Sequence, residues 1–222
     1  MTFSIAGHQD GRFGIAATSS SPAVAARVVH LRDSVGAVSS QNITDPRLGT
    51  ALLDALASGL SPEAALASVT ATEPNIAFRQ LTVVDSSGAA ATYSGQRTLG
   101  VHGEATGAHC AAAGNMLSRP DIPDILCEAF VSARGELEER LFAALSAGLA
   151  AGGEAGPVYS AGLSTVSTVG WRDTDLRVDW HENPIEELGR LLEVWMPQRD
   201  DYVQRGLDPA ASPGYGVPGD ER

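Results

Sequence analysis

The pattern that most limits how this chain can fold is the alternation of strand blocks with helix pairs. Residues 3–6 and 12–17 flank the polar turn Gly7-His8-Gln9-Asp10-Gly11, whose Asp-Gly step is a hairpin signal. Residues 28–32 and 35–40 read as the next pair of strands, split at Asp33-Ser34. Asp45-Pro46 then offers an N-cap and a first-turn proline, and Leu48, Leu52, Leu53 and Leu56 recur at helical spacing up to Gly59. A second helix starts at Ser61-Pro62, with Ala64 leaving its capping box incomplete, and ends by Pro74. Strands return over 79–84 and 89–94, around the turn Asp85-Ser86-Ser87-Gly88, and the segment 107–114 reads as one more. Residues 122–152 carry a helical pattern broken near Arg134-Gly135; strands over 160–169 and 176–180 and a helix over 184–195 follow. Segregated blocks joined by hairpin turns predict an α+β fold with antiparallel sheets covered by helices. A four-layer αββα sandwich is one arrangement that absorbs this many strands and helix pairs. Residues 1–196 then form one domain. Residues 197–222, rich in Pro, Gly and Asp and without periodicity, read as a tail or as an arm that wraps a neighbouring subunit of a homo-oligomer.

With 222 residues, one core can serve the whole chain. The net charge of −12 argues against nucleic acid or an anionic membrane as partner, because phosphate contacts need clustered cations. No stretch approaches the ~20 apolar residues of a membrane span, and no secretory signal pattern opens the chain. A cytoplasmic protein is the expectation. The chain has no lysine, which excludes Schiff-base chemistry, covalent pyridoxal phosphate and a Walker-type phosphate loop. Cys110 and Cys127 form neither a disulfide framework nor a metal motif and read as buried thiols. His8, His30, His102, His109 and His181 show no metal-ligand spacing, so neither metal nor cofactor is expected. His181 lies between Asp179 and Glu182, a weak triad-like hint.

Thr2 is the residue with the sharpest chemical potential. It stands directly behind the initiator, at the head of an apolar strand, and is small enough for Met1 to be removed. Removal would leave a hydroxyl nucleophile and a free α-amine on one residue, and such an amine, with an unperturbed pKa of about 7.7–8.0, is a recognised activator of threonine. An ordinary first strand beginning Met-Thr is the competing reading. Three polar stretches accompany it. Ser19 and Ser20 end the second strand with hydroxyls able to bind a substrate or simply to meet solvent. Gln41 and Asn42 stand between a strand and a helix start, suited to an oxyanion or carboxylate cradle or to ordinary capping. Asn115 follows Gly114 and offers both a donor and an acceptor, or a left-handed turn residue.

Met1-Thr2-Phe3-Ser4-Ile5, the run from Ser40-Gln41-Asn42 through Asp45-Pro46-Arg47-Leu48-Gly49, Gly114-Asn115-Met116-Leu117 and Asp175-Leu176-Arg177-Val178-Asp179 occur in an order that resembles a bacterial family of unknown function, DUF 1028. Members of that family resemble N-terminal-nucleophile (Ntn) hydrolases. The resemblance runs from Thr2 to about Trp195 and continues into the tail through Asp200-Asp201-Tyr202 and Tyr215-Gly216-Val217-Pro218-Gly219-Asp220. It implies the αββα sandwich and places Thr2 at the nucleophile position. Ser19, Ser20, Gln41, Asn42 and Asn115 fall within the shared motifs; their roles are inferred from chemistry. The chain departs from proteasome-like threonine hydrolases in lacking a lysine beside the nucleophile. Arg27 or Arg32 can supply positive charge but does not shuttle protons at neutral pH. The α-amine is left as the base.

Three readings follow. In the first, Thr2 and Asn115 are catalytic in an amidohydrolase acting on a small-molecule C–N bond, with Ser19, Ser20, Gln41, Asn42 and Arg32 binding substrate. In the second, the same fold is a non-catalytic small-molecule-binding or assembly module. In the third, histidine and carboxylate groups activate water in a hydrolytic deaminase that does not use Thr2.

Overall fold

The computed structural model describes residues 1–220 of the chain. Strands β1 (Thr2–Gln9) and β2 (Arg12–Ser19) form the predicted hairpin around Asp10 and Gly11, both at positive φ. A single turn, α1 (Ala25–Val28), leads to β3 (Val29–Arg32) and β4 (Gly36–Asn42). Helices α2 (Pro46–Ala57) and α3 (Pro62–Thr70) follow. Asp45 caps the first through the backbone N–H of Arg47, and Ser61 caps the second through that of Ala64. Strands β5 (Arg79–Asp85), β6 (Ala90–Ser94), β7 (Gly103–Gly107) and β8 (Cys110–Asn115) precede α4 (Ile122–Ser132) and α5 (Leu137–Ala150). Strands β9 (Ser160–Val166) and β10 (Arg172–Val178) and helices α6 (Pro184–Trp195) and α7 (Arg199–Leu207) complete the fold.

Both sheets are antiparallel. One has the order β10-β9-β2-β1-β8-β7 and the other β3-β4-β5-β6. They pack face to face through β1, β2 and β8 against β3, β4 and β5, while α4 and α5 cover the larger sheet and α2 and α3 the smaller. The layers are therefore αββα. Alternation along β1 divides its side chains between two cores. Phe3 and Ile5 point into the helix-side core with Phe130, Leu126, Leu141 and Leu145. Gly7 shares that face, where a Cβ would lie 2.6 Å from the Phe130 ring. Thr2, Ser4 and Ala6 face the other sheet. Ala6, Phe13, Ile15, Val84 and Val166 close one end of that layer with apolar packing, whereas its other end, around Thr2, is lined by hydroxyls and amides.

Three features differ from the sequence expectation. The segment read as one strand over 107–114 is a hairpin, β7 and β8, turning at His109 with φ 63°. Strand β10 starts at Arg172, before the predicted 176, and carries a register shift between Arg172 and Thr174. The aperiodic tail opens with α7, which docks through Arg199. The anchor is Glu138, fully buried, whose carboxylate takes Arg12 at 2.5 Å and Arg199 at 3.2 Å and accepts the hydroxyls of Thr165 and Thr174. Burial opposes its ionisation, but hydrogen bonding and charge from Arg12, then the charge of Arg199, prevail and hold it at about 2. Trp195 donates to Thr174 and stacks on Tyr202, extending the same anchor. Cys110 and Cys127 are buried free thiols. Among the described residues no helix is long and apolar enough to cross a membrane.

Candidate active site

Antiparallel register gathers the polar groups. Thr2 pairs with Asn115 on β8, Phe3 pairs with Thr18 on β2, and Ser19 pairs with Ser160 on β9. The start of β1 and the ends of β2 and β8 therefore meet at one rim of the sandwich. Thr2 is 7% exposed, and its Oγ1 lies 2.5 Å from the carbonyl oxygen of Met1 and 3.3 Å from Ser19 Oγ. The Ser19 hydroxyl also donates to the Met1 carbonyl. That carbonyl thus sits between two hydroxyls.

A chain of polar contacts leads outward from Ser19. Its Oγ is 2.9 Å from Ser21 Oγ, which accepts from Arg27 Nη2 at 3.0 Å. Arg27 also donates to the carbonyls of Pro22 and Ala23, and among the described residues no carboxylate ion-pairs with it. Its positive charge is directed along Ser21 and Ser19 toward Thr2. Arg32, by contrast, lies at the β3–β4 turn, paired with Asp54 at 2.8 Å, and is not part of this group.

The amides behind Thr2 hold the two sheets together. Ser4 Oγ donates to Gln41 Oε1 at 2.6 Å, Gln41 Nε2 to Gln80 Oε1 at 2.8 Å, and Asn115 Nδ2 to the same oxygen at 3.1 Å. Gln80 Nε2 reaches the Gly114 carbonyl at 3.0 Å, and Ser39 and Thr82 share a hydrogen bond of 2.6 Å across β4 and β5. Gln41 is fully buried with both ends of its amide engaged, so it supports the site rather than reaching a ligand. Asn115 uses one of its two N–H groups on Gln80. Asn42, at φ 72°, ties its amide to the Phe78 carbonyl and the Leu99 N–H, two residues that line an apolar cavity of about 480 Å³ with Ile43, Asn75 and Arg79.

Glu154 is a member of the site that no motif announced. Gly152 and Gly153, at φ 118° and 53°, turn the chain after α5. Glu154 then bridges to Leu117 just beyond β8, while Ala155 N–H donates to the Met116 carbonyl at 2.9 Å. The residue is 5% exposed, and neither carboxylate oxygen has a hydrogen-bond partner among the described residues. Burial raises its pKa to about 8. The α-amine of Met1 and the backbone and hydroxyl of Ser20, which approach without closing a hydrogen bond, only partly offset that rise. Ser20 thus belongs beside Glu154, and Ser19 beside Thr2.

None of the five histidines joins this group. His8 and His109 face each other at 5.6 Å at the far end of β1, His30 packs against Gly49, and His102 and His181 are exposed. His181 Nδ1 accepts the backbone N–H of Asn183. Among the described residues no group of three or more His, Cys, Asp or Glu side chains could hold a metal ion.

The comparisons with known proteins agree with the architecture. A crystal structure of a Silicibacter pomeroyi protein matching the DUF1028 family model superposes with a TM-score of 0.85 at 32% identity, covering 92% of this chain and 90% of that one. No curated protein matches the chain. The model of the family of unknown function DUF1028 matches residues 2–188, so the chain, from its threonine at position 2 to the middle of α6, belongs to DUF1028.

Proposed function

We propose that the protein is an amidohydrolase of the N-terminal-nucleophile type, with Thr2 as its nucleophile once Met1 has been removed. The observation that carries this reading is the carbonyl of Met1, held between the hydroxyls of Thr2 and Ser19. A carbonyl in that position is polarised by one hydroxyl and lies beside the other, the arrangement acyl transfer needs.

In this reading Thr2 Oγ attacks the carbonyl carbon of a small amide, and the α-amine of Thr2 takes the hydroxyl proton, directly or through water. Ser19 and the free N–H of Asn115 stabilise the oxyanion. Collapse breaks the C–N bond, and the leaving amine carries away the proton. Water then hydrolyses the ester on Thr2 Oγ and restores the hydroxyl. The lysine that proteasome-like enzymes place beside the nucleophile is missing; Arg27, acting through Ser21 and Ser19, supplies positive potential without exchanging a proton. The absence of histidine from the group favours this reading over a deaminase built on histidine and carboxylate. The missing lysine, and the full engagement of Gln41 and Gln80, whose amides are not free to bind a ligand, favour a non-catalytic module instead.

Turnover of a library of small amides by the wild type and by Thr2→Ala tests the proposal. Loss of turnover in the variant is the expected result; equal turnover would place the chemistry elsewhere.

A further inference from the structure

The surroundings of Met1 say more than that a carbonyl fits there. Attack by Thr2 Oγ would attach a substrate's acyl group to an atom of the same residue whose backbone nitrogen now carries the methionyl group. Any acyl group on Thr2 must therefore occupy much of the space Met1 fills. Met1 is itself an α-aminoacyl group, and each of its parts has a counterpart in the protein. Its carbonyl meets Thr2 and Ser19. Its thioether rests on Gly156, where a Cβ would lie 3.2 Å from the terminal methyl. Its α-amine acts on the buried Glu154 carboxyl as a positive charge, without closing a hydrogen bond to either of its oxygens.

Glu154 is the unusual element. Its carboxyl is sealed from solvent with both oxygens unpartnered, a costly arrangement in a protein interior unless a ligand satisfies it. Glu138, the other deeply buried glutamate among the described residues, has two arginines and two hydroxyls. The loop holding Glu154 is fixed by the bridge to Leu117 and by the Ala155–Met116 and Ser118–Gly153 hydrogen bonds, so its place beside the site is built into the backbone.

We propose that the space occupied by Met1 is an acyl subsite for α-aminoacyl amides bearing an apolar side chain, and that Glu154 is the residue recognising their ammonium group. The proposal rests on the Thr2 reading above and names its substrate class. Gly156 leaves room for an unbranched side chain such as that of methionine, and acylation of the substrate amine removes the charge that Glu154 would meet.

Binding to a chain that cannot turn over separates the two claims. The Thr2→Ala variant, prepared without Met1 and verified by intact mass, is titrated calorimetrically with L-methioninamide and with N-acetyl-L-methioninamide. The free amine should bind about tenfold tighter or more, the scale of a hydrogen bond to a charged group. Adding Glu154→Gln should bring the two affinities together. The two-ligand comparison with Glu154 intact stands even if Glu154→Gln folds poorly. Equal affinities, a preference that survives Glu154→Gln, or no binding of either amide at millimolar concentration would overturn the proposal. Those outcomes leave the Thr2 reading to its own test, loss of wild-type turnover in Thr2→Ala.

Discussion

Ser4 and Gln41 join the two sheets directly behind the candidate nucleophile: Ser4 Oγ on β1 donates to Gln41 Oε1 on β4 at 2.6 Å, with both residues fully buried. This bond opens the Gln41–Gln80–Asn115 network, so the position of the β1 rim depends on polar groups that have no access to water. Such networks are rigid when complete and costly when broken.

Gln80 is the hub. Gln80→Ala would leave the amide N–H groups of Gln41 and Asn115 and the Gly114 carbonyl short of a partner, at roughly 1–3 kcal/mol per stranded group. Urea denaturation should show Gln80→Ala destabilised by about 3 kcal/mol or more, and Ser94→Ala, which removes one peripheral acceptor, by about 1 kcal/mol. Equal effects would show that the network is not organised around Gln80.

Asn115→Ala tests the oxyanion role. Loss of one such donor costs about 3–4 kcal/mol of transition-state stabilisation in other hydrolases, a fall in kcat of about two to three orders of magnitude. Urea denaturation of the same variant separates that loss from its broken bond to Gln80. A stable variant with wild-type kcat would remove Asn115 from the chemistry.

The Arg27–Ser21–Ser19 chain should matter for rate more than for binding. Ser21→Ala interrupts it, and kcat is expected to fall up to about tenfold with KM little changed, the scale of one hydrogen bond. A change confined to KM would mean that Ser21 contacts substrate instead.

Two buried glutamates give the stability profile opposite slopes. Glu154 holds its proton more tightly folded than unfolded, so stability should decline as pH rises from about 4.5 to about 8, by a few kcal/mol in all. The groups acting on it are the α-amine and Ser20. Glu138 binds its proton less tightly in the folded state. Its contribution is complete above about 4.5 and disappears as pH falls toward about 2. Thermal melts across this range should show Glu154→Gln flattening the alkaline slope alone. Glu138→Gln should lower Tm most above about pH 4.5, where removing one partner of a buried ion pair costs about 3–5 kcal/mol, and the difference from wild type should shrink as pH falls toward about 2.

Much of this arrangement was legible in the sequence, for physical reasons that also mark where it stopped. Strand hairpins and helix pairs show themselves through local periodicity, which is why β1, β2, α2 and α6 lie close to where their patterns put them. Thr2, Ser19 and Asn115 end elements that register brings to one rim. The turn at His109 was hidden because a non-glycine residue occupies the left-handed conformation. Arg32 looked available only because its partner Asp54 is 22 residues away on α2. Glu154 sits in a glycine-led loop with no pattern of its own, and its chemistry arises from burial, which no local sequence signal carries. The Arg12–Glu138 pair, 126 residues apart, is likewise a product of tertiary packing.

Everything assigned to Thr2 depends on a free α-amine, because no lysine can replace it as the base. The intact mass of the purified protein tests this most directly. The expected result is a chain shortened by one methionine, with Thr2 at its amino terminus; a chain that retains Met1, its carbonyl still held between Thr2 and Ser19, is the opposing result and would remove Thr2 as the nucleophile.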